Sequence, residues 1–242
     1  MNYLDIHSHI LAGVDDGAKN EGISIKLLEM LKSQGVNNVV ATPHFYPDTD
    51  SADGFADRIK EAYDRLVKIT AGAGLPRVFL GCELHYFDGI GKSRAIKQFA
   101  ITGTNYLLLE LPYGVKNDKA ILQDIIDIRE ALGLIPILAH IERYYRAPNF
   151  KKLLSLVSDG TALAQINAAD VLDREYSRVC EKLIKRGLVH FLASDTHSTD
   201  RRPPLIDKAL EHIKGKLGAS AANRLIINSN RLLEELEELN EK

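Results

Sequence analysis

The stretch Asp5-Ile6-His7-Ser8-His9, followed by Gly13-Val14-Asp15-Asp16-Gly17, carries the residue types from which divalent-metal sites are built. If residues 3–9 form a strand, alternation turns His7 and His9 to one face, with Ser8 between them pointing the other way. Neutral imidazole is a common metal ligand, and two on one stiff strand supply half of a coordination shell before any loop contributes. A lone His-x-His pair is as readily packed as ligating. What favours chemistry here is that His and acidic residues recur at the ends of nearly every later apolar run. The candidate ligands are His7, His9, Asp16, His44, Glu83, Glu110, His140, Asp195 and His197. A single zinc ion uses about four ligands, so this larger set suits two or three ions sharing bridging carboxylates. Imidazole and carboxylate without thiolate point to manganese, iron or zinc rather than a soft metal. Clustered divalent ions acidify a bound water and grip the attacking and leaving oxygens of a phosphoester, so metal-assisted phosphoryl hydrolysis is the natural chemistry.

The elements that must position these groups alternate along the chain. Strand-like runs occupy residues 3–9, 36–42, 77–81, 106–109, 134–139, 161–166 and 188–194. Helical spacing marks residues 20–34, 53–71, 118–132, 150–158, 173–186, 205–217 and 219–240, with a short helix around 92–99. Glycines 35, 133 and 187 close three of the helices. Strand–helix alternation at crossover length implies parallel strands with right-handed connections. His9, His44, Glu83, Glu110, His140, Asn167 and Asp195 all fall at or near the C-terminal end of a strand, the rim where (β/α) barrels place their sites. An open doubly wound sheet would gather ligands at one switch point, and no Gly-x-Gly-x-x-Gly or P-loop supports that choice. The expected fold is α/β, a distorted seven-stranded barrel in a single domain spanning 1–242.

With 31 basic against 33 acidic residues the chain has no electrostatic footprint for nucleic acid. The apolar runs are strand-sized, far short of a membrane span, and the N-terminus lacks the features of a signal peptide. A cytoplasmic protein with no membrane insertion is expected. Cys82 and Cys180 are too few for a disulfide framework and lack zinc-site spacing, so both read as reduced thiols.

Taken together, the motifs Asp5-Ile-His-Ser-His-Ile, Val14-Asp-Asp-Gly17, Ala41-Thr-Pro-His44, Ala139-His-Ile-Glu-Arg-Tyr144 and Ala193-Ser-Asp-Thr-His197 with Arg202-Pro-Pro204 resemble the polymerase and histidinol phosphatase (PHP) family. Within it they look like the CpsB/YwqE-type bacterial tyrosine phosphatases. The resemblance runs through nearly the whole chain in order. It implies a distorted (β/α)7 barrel with three divalent ions, manganese before iron or zinc. By position, His7, His9, Glu83 and Asp195 would hold one ion. Glu83 would bridge to a second, completed by Glu110 and His140, and Asp16, His44 and His197 would hold the third. Asp15 is the alternative to Asp16, and the family pattern favours the second aspartate. Arg143 and Arg202 match the family's phosphate-binding arginines, and guanidinium suits a forked grip on phosphate oxygens. The implied activity is that of a phosphoric monoester hydrolase, a protein-tyrosine phosphatase in which a metal-bridging hydroxide attacks phosphorus. The implied substrate is a phosphotyrosine protein, the tail of a bacterial tyrosine kinase controlling capsule or exopolysaccharide export. The alternatives are a small-molecule phosphoesterase such as a histidinol phosphate phosphatase, which a lidded pocket would suit, and a regulatory barrel that keeps metals without turnover.

Several residues invite other readings. Cys180 and Arg186 have the Cys-x5-Arg spacing of thiol-dependent phosphatases, but Glu181, Lys182, Leu183, Ile184 and Lys185 between them are helix formers, not a phosphate loop. His85 suits a rim or substrate-contact role, His190 a packed, hydrogen-bonded one, and His212 an exposed helix position. Gln165 and Asn167 share a strand face and suit hydrogen bonding to the ligands. The leucines of residues 232–239 suggest a helix docked at the barrel's edge. His140→Ala is expected to abolish turnover and spare the fold, on the ground that a rim ligand adds little to core packing.

Overall fold

Short runs rich in Val, Ile and Leu form strands, and the amphipathic stretches between them form the crossover helices. The computed structural model describes residues 3–112 and 118–240. Its strands are β1 (Tyr3–Ser8), β2 (Val36–Ala41), β3 (His44–Phe45), β4 (Arg77–Leu80), β5 (Glu83–His85), β6 (Tyr106–Glu110), β7 (Ile135–Leu138), β8 (Leu163–Asn167) and β9 (Phe191–Ala193). The helices are α1 (Glu21–Ser33), α2 (Ala52–Thr70), α3 (Asp118–Glu130), α4 (Phe150–Ser158), α5 (Ala168–Leu172), α6 (Ser177–Lys185), α7 (Ile206–Leu217) and α8 (Ala219–Asn240). Residues 92–99 form 3-10 turns rather than an α-helix. Among the described residues no helix is long and apolar enough to cross a membrane.

All strand pairs are parallel, in a three-stranded sheet β1-β2-β4 and a six-stranded sheet β3-β5-β6-β7-β8-β9. β3 and β5 were not anticipated. Each resumes pairing after a break, at Thr42-Pro43 and at Gly81-Cys82, with Glu83 N donating to Pro43 O at 3.1 Å. Proline has no N–H for the ladder, and Gly81 passes so close to β2 that a Cβ there would lie 3.0 Å from Val40 Cγ1. The two sheets join at both sides. Thr102 N donates to Leu80 O and Ile101 N to Tyr106 O, while Asp195 N donates to His7 O and His9 N to Thr196 O. The result is a curled parallel sheet.

One apolar cluster draws Leu4 and Ile6 from β1, Val40 from β2, Phe79 from β4, Leu108 from β6, Ile137 from β7 and Phe191 from β9. Residues from so many strands can meet only inside the curl. Leu232, Leu233 and Leu236 of α8 belong to the same cluster. The C-terminal helix therefore plugs the interior rather than docking at an edge, anchored where Ser229 Oγ exchanges hydrogen bonds with Leu4 N and O at 2.9 and 2.6 Å. Above that plug the inner face turns polar with period two, from Leu108 to Glu110, from Phe191 through Ala193 to Asp195, and from Leu163 through Gln165 to Asn167. On β1 the register with β2 shifts between Asp5 and Ser8, between inward-packed Ile6 and the two histidines.

Cys180 is fully buried within α6, where burial pushes its thiol up, and Cys82 is buried likewise. Neither is a nucleophile by position. His190 Nδ1 accepts from Ala164 N at 3.2 Å, away from the polar end of the curl. His212 is not free in solvent: it is half-buried and pairs with Glu181 at 3.1 Å.

Candidate metal centre

Glu83 occupies the middle of the polar end and is 1% exposed. Its Oε2 lies 3.1 Å from His7 Nε2, 3.3 Å from His9 Nε2 and 3.0 Å from His44 Nδ1, and its Oε1 lies 3.0 Å from His140 Nε2. Burial alone would push this carboxyl up, but His7, His140 and His44 together hold it well below its ordinary value. Three sets of donor atoms each lie within 4.8 Å of one another: His7, His9, Glu83 and Asp195; His9, Asp16, His44 and His197; and His44, Glu83 and Glu110. His140, assigned by resemblance to the site of Glu83 and Glu110, stands beside that third set, 3.6 Å from Glu110 Oε1. All nine sequence candidates thus come to one place.

The donor chemistry fits divalent ions. His9 Nδ1 lies 2.7 Å from Asp15 Oδ2 and His7 Nδ1 lies 3.2 Å from Gln165 Oε1, contacts that place a proton on each Nδ1 and leave each Nε2 to face inward. Those two inward nitrogens are 3.2 Å apart. Two imidazoles sharing one ion at about 2.0–2.1 Å, with roughly 100° between them, would be spaced the same way. Among the described residues, His44 Nδ1, Glu83 Oε2 and His197 Nε2 are buried without a hydrogen-bond partner, although His44 and Glu83 approach to 3.0 Å. Close approach without hydrogen-bond geometry is what groups aimed at a common third atom display. Burial would lower the His7 and His9 pKa values, yet Glu83 and Asp195, joined at His9 by Asp15, raise both. Proton and cation therefore compete for the same nitrogens. At His197, burial and the nearby His9 depress the pKa to about 3, so this ring is neutral.

Asp195 divides its two oxygens. Oδ1 lies 3.4 Å from the Nε2 of both His7 and His9, whereas Oδ2 accepts from Arg202 at 2.7 Å and from Asn167 at 2.7 Å, with Arg143 3.6 Å away. Both arginines singled out in the sequence therefore reach the mouth. Arg143 is further held by Asp170, whose Oδ2 accepts from Nε at 2.8 Å. Asp15 and Asp16 separate by role. Asp15 accepts from His9, from Gly17 N and from His44 N, a support behind the histidines, and these contacts outweigh its burial to bring it down to about 2. Asp16 is 67% exposed and presents Oδ1 at 3.4 Å from His197 Nε2 and 3.6 Å from His44 Nε2. His85 lies 3.0 Å from Glu110 Oε2 and joins none of the donor sets.

Gly17 is fixed by space. A Cβ there would fall 2.2 Å from His9 O and 2.5 Å from His9 Cβ, and Ala18 N donates to that same carbonyl at 2.9 Å. Gly17→Ala is expected to push His9 aside, lowering stability by about 1–3 kcal/mol and weakening metal binding. Wild-type melting temperature and metal affinity in this variant would show that the contact is slack.

Sequence reasoning passed over four participants. Asp5 is fully buried below His7, accepts from Ser194 N at 2.9 Å and is pushed by burial up to about 6. Asp15 was weighed only as a ligand, and Asp170 had no signal because it lies on the unanticipated α5. Tyr46, whose ring stands 5.2 Å from His44 and 5.5 Å from His85, directly follows β3 and carries no motif of its own.

A curled parallel α/β sheet with an imidazole–carboxylate cluster at its C-terminal rim resembles PHP-fold proteins. The same fold is found in a histidinol phosphate phosphatase from Lactococcus lactis subsp. lactis, at TM-score 0.55 and 15% identity over 91% of this chain and 94% of that one, a likeness of fold alone. The chain belongs to the capsular polysaccharide synthesis family CpsB/CapC, whose model matches residues 3–234. It is 31% identical over 248 residues to the tyrosine-protein phosphatase CpsB of Streptococcus pneumoniae, covering 94% of this chain and 96% of the relative. A solved structure described with YwqE from Bacillus subtilis and CpsB from Streptococcus pneumoniae, "unique metal-dependent tyrosine phosphatases", superposes with TM-score 0.83 at 28% identity, covering 96% and 94% of the two chains.

Proposed function

We propose that this protein is a metal-dependent protein-tyrosine phosphatase, a phosphoric monoester hydrolase working as one PHP-type domain in the cytoplasm. The observation that carries the reading is the convergence of four imidazoles on Glu83 with two arginines close to Asp195 beside it. On this reading β2 with β3, and β4 with β5, are single interrupted strands, so that the curl is a distorted (β/α)7 barrel. His7, His9, Glu83 and Asp195 would hold one divalent ion, Glu83, Glu110 and His140 a second, and Asp16, His44 and His197 a third, manganese before iron or zinc. When bound, such ions lower the pKa of a water enough for it to attack phosphorus at neutral pH. Arg143 and Arg202 orient the phosphoryl group and neutralise its equatorial oxygens as charge moves to the leaving oxygen. Their carboxylate partners, Asp170 and Asp195, keep both guanidinium groups at the mouth. A tyrosine phenolate leaves readily, so no side chain need act as a strong general acid.

The mouth favours a protein substrate over a metabolite. Asp16 and Arg202 are well exposed, and a cleft of about 640 Å³ lined by Asp16, Lys19, His197 and Arg202 lies open beside them. We assign as substrate a phosphotyrosine segment of a bacterial tyrosine kinase in capsule or exopolysaccharide control. Phosphotyrosine peptide and histidinol phosphate, compared as kcat/KM with manganese present, test the assignment. The peptide is expected to be preferred. Preference for histidinol phosphate would assign the site to a small metabolite, and no hydrolysis of either by metal-loaded protein would leave a regulatory barrel.

A further inference from the structure

Two buried carboxamides link ligands that stand on separate strands. Gln165 is fully buried, and its Oε1 accepts from His140 N at 2.9 Å while facing His7 Nδ1 at 3.2 Å. Its Nε2 donates to Asn167 Oδ1 at 2.7 Å, and Asn167 Nδ2 donates to Asp195 Oδ2 at 2.7 Å. Asn167 is itself fixed through its backbone, whose N–H donates to the buried carboxylate Glu142 Oε1 at 2.8 Å. Every amide orientation follows from this chain, because a flipped Gln165 would point N–H groups at the His140 N–H and a flipped Asn167 would set oxygen against Asp195.

The backbone adds a second observation. Among the described residues the non-glycine residues with positive φ are His140, at 34°, and Asp195, at 50°. Left-handed backbone is unfavourable for a residue with a Cβ, so such conformations persist where surrounding structure dictates them. Both are among the three ligands that the carboxamide pair grips, His140 by its N–H and Asp195 by its side-chain oxygen.

We infer that Gln165 and Asn167 are positioning residues that act as one unit, holding His7 in its inward-facing tautomer, His140 in its left-handed turn and Asp195 with Oδ1 toward the ions. The inference rests on the metal-site reading above. Acting as a unit has a specific consequence: breaking either member releases the same three ligands. Groups that orient a ligand commonly change metal affinity by about 10–100-fold when removed.

The test is titration of manganese chloride into metal-stripped full-length protein by calorimetry, for wild type, Gln165→Met, Asn167→Ala and the double variant, with melting temperatures of the stripped proteins. Each single variant is expected to weaken manganese binding by about 10–100-fold, and the double variant by no more than about the worse single one. Should Gln165→Met fail to fold, Gln165→Glu takes its place. It keeps an acceptor for His140 and His7 but has no donor for Asn167, and the same loss is expected. Unchanged affinity in the single variants, or losses that multiply in the double variant, would overturn the inference. A lowered melting temperature with wild-type manganese affinity would make the pair merely structural, which also overturns it. Failure of the wild-type protein to bind manganese would instead sink the metal-site reading itself.

Discussion

Glu83→Gln is expected to lower hydrolysis of a phosphotyrosine peptide by about 10²–10³-fold, the scale seen when a preorganised charge-stabilising group is removed from a dry site. Glutamine keeps the shape and volume, so the curl has no cavity to close. What disappears is the negative charge toward which His7, His9, His44 and His140 converge within 3.0–3.3 Å. Metal-stripped protein gives a second reading of the same charge. The depressed Glu83 pKa contributes stability above the ordinary carboxyl value and loses it as pH falls through the depressed one. The raised His7 pKa contributes stability below about 6.5 and loses it as pH rises through the raised value. The stability gap between wild type and Glu83→Gln should therefore be widest at mildly acidic pH and narrow toward alkaline pH. A variant retaining more than about a tenth of wild-type turnover would remove Glu83 from the centre.

His140→Asn is expected to cost about 10²–10³-fold in turnover, with a melting temperature near that of wild type. Alanine, suggested by sequence alone, is the poorer probe. His140 is 2% exposed rather than standing free at the rim, and its φ of 34° is one that asparagine tolerates and alanine resists. Asparagine keeps the backbone N–H bonded to Gln165 and removes the ring nitrogen that faces Glu83 and Glu110. Comparison of His140→Asn with His140→Ala separates the two contributions: turnover should fall in both, stability chiefly in alanine. Full activity in His140→Asn would exclude this imidazole from the reaction.

The convergence of ligands was legible because it depends on short-range rules. Strand-length runs lead into His44, Glu110, His140 and Asp195, and parallel crossover topology brings such ends to one rim. Period-two alternation carries the inner face from Leu108 to Glu110 and from Phe191 to Asp195 without further information. What escaped depends on long-range contact. The breaks that set β3 and β5 apart follow from Pro43 and from the passage of Gly81 against Val40, and only the second needs the neighbouring strand to be seen. No glycine marks the left-handed backbone at His140 and Asp195, because their conformation is imposed by partners far along the chain. Leu232, Leu233 and Leu236 look like any amphipathic helix face, and only their contact with the inward side chains of the strands makes them a plug.

The most direct test of the account is metal content and activity measured together on one preparation. Protein stripped with chelator should hydrolyse p-nitrophenyl phosphate at background rate. Manganese added back should bind to about three ions per chain, one for each donor set, with activity returning as the sites fill. Full activity in the stripped protein, or no bound manganese at saturating concentration, would contradict the claim that these scattered imidazoles and carboxylates form one metal centre.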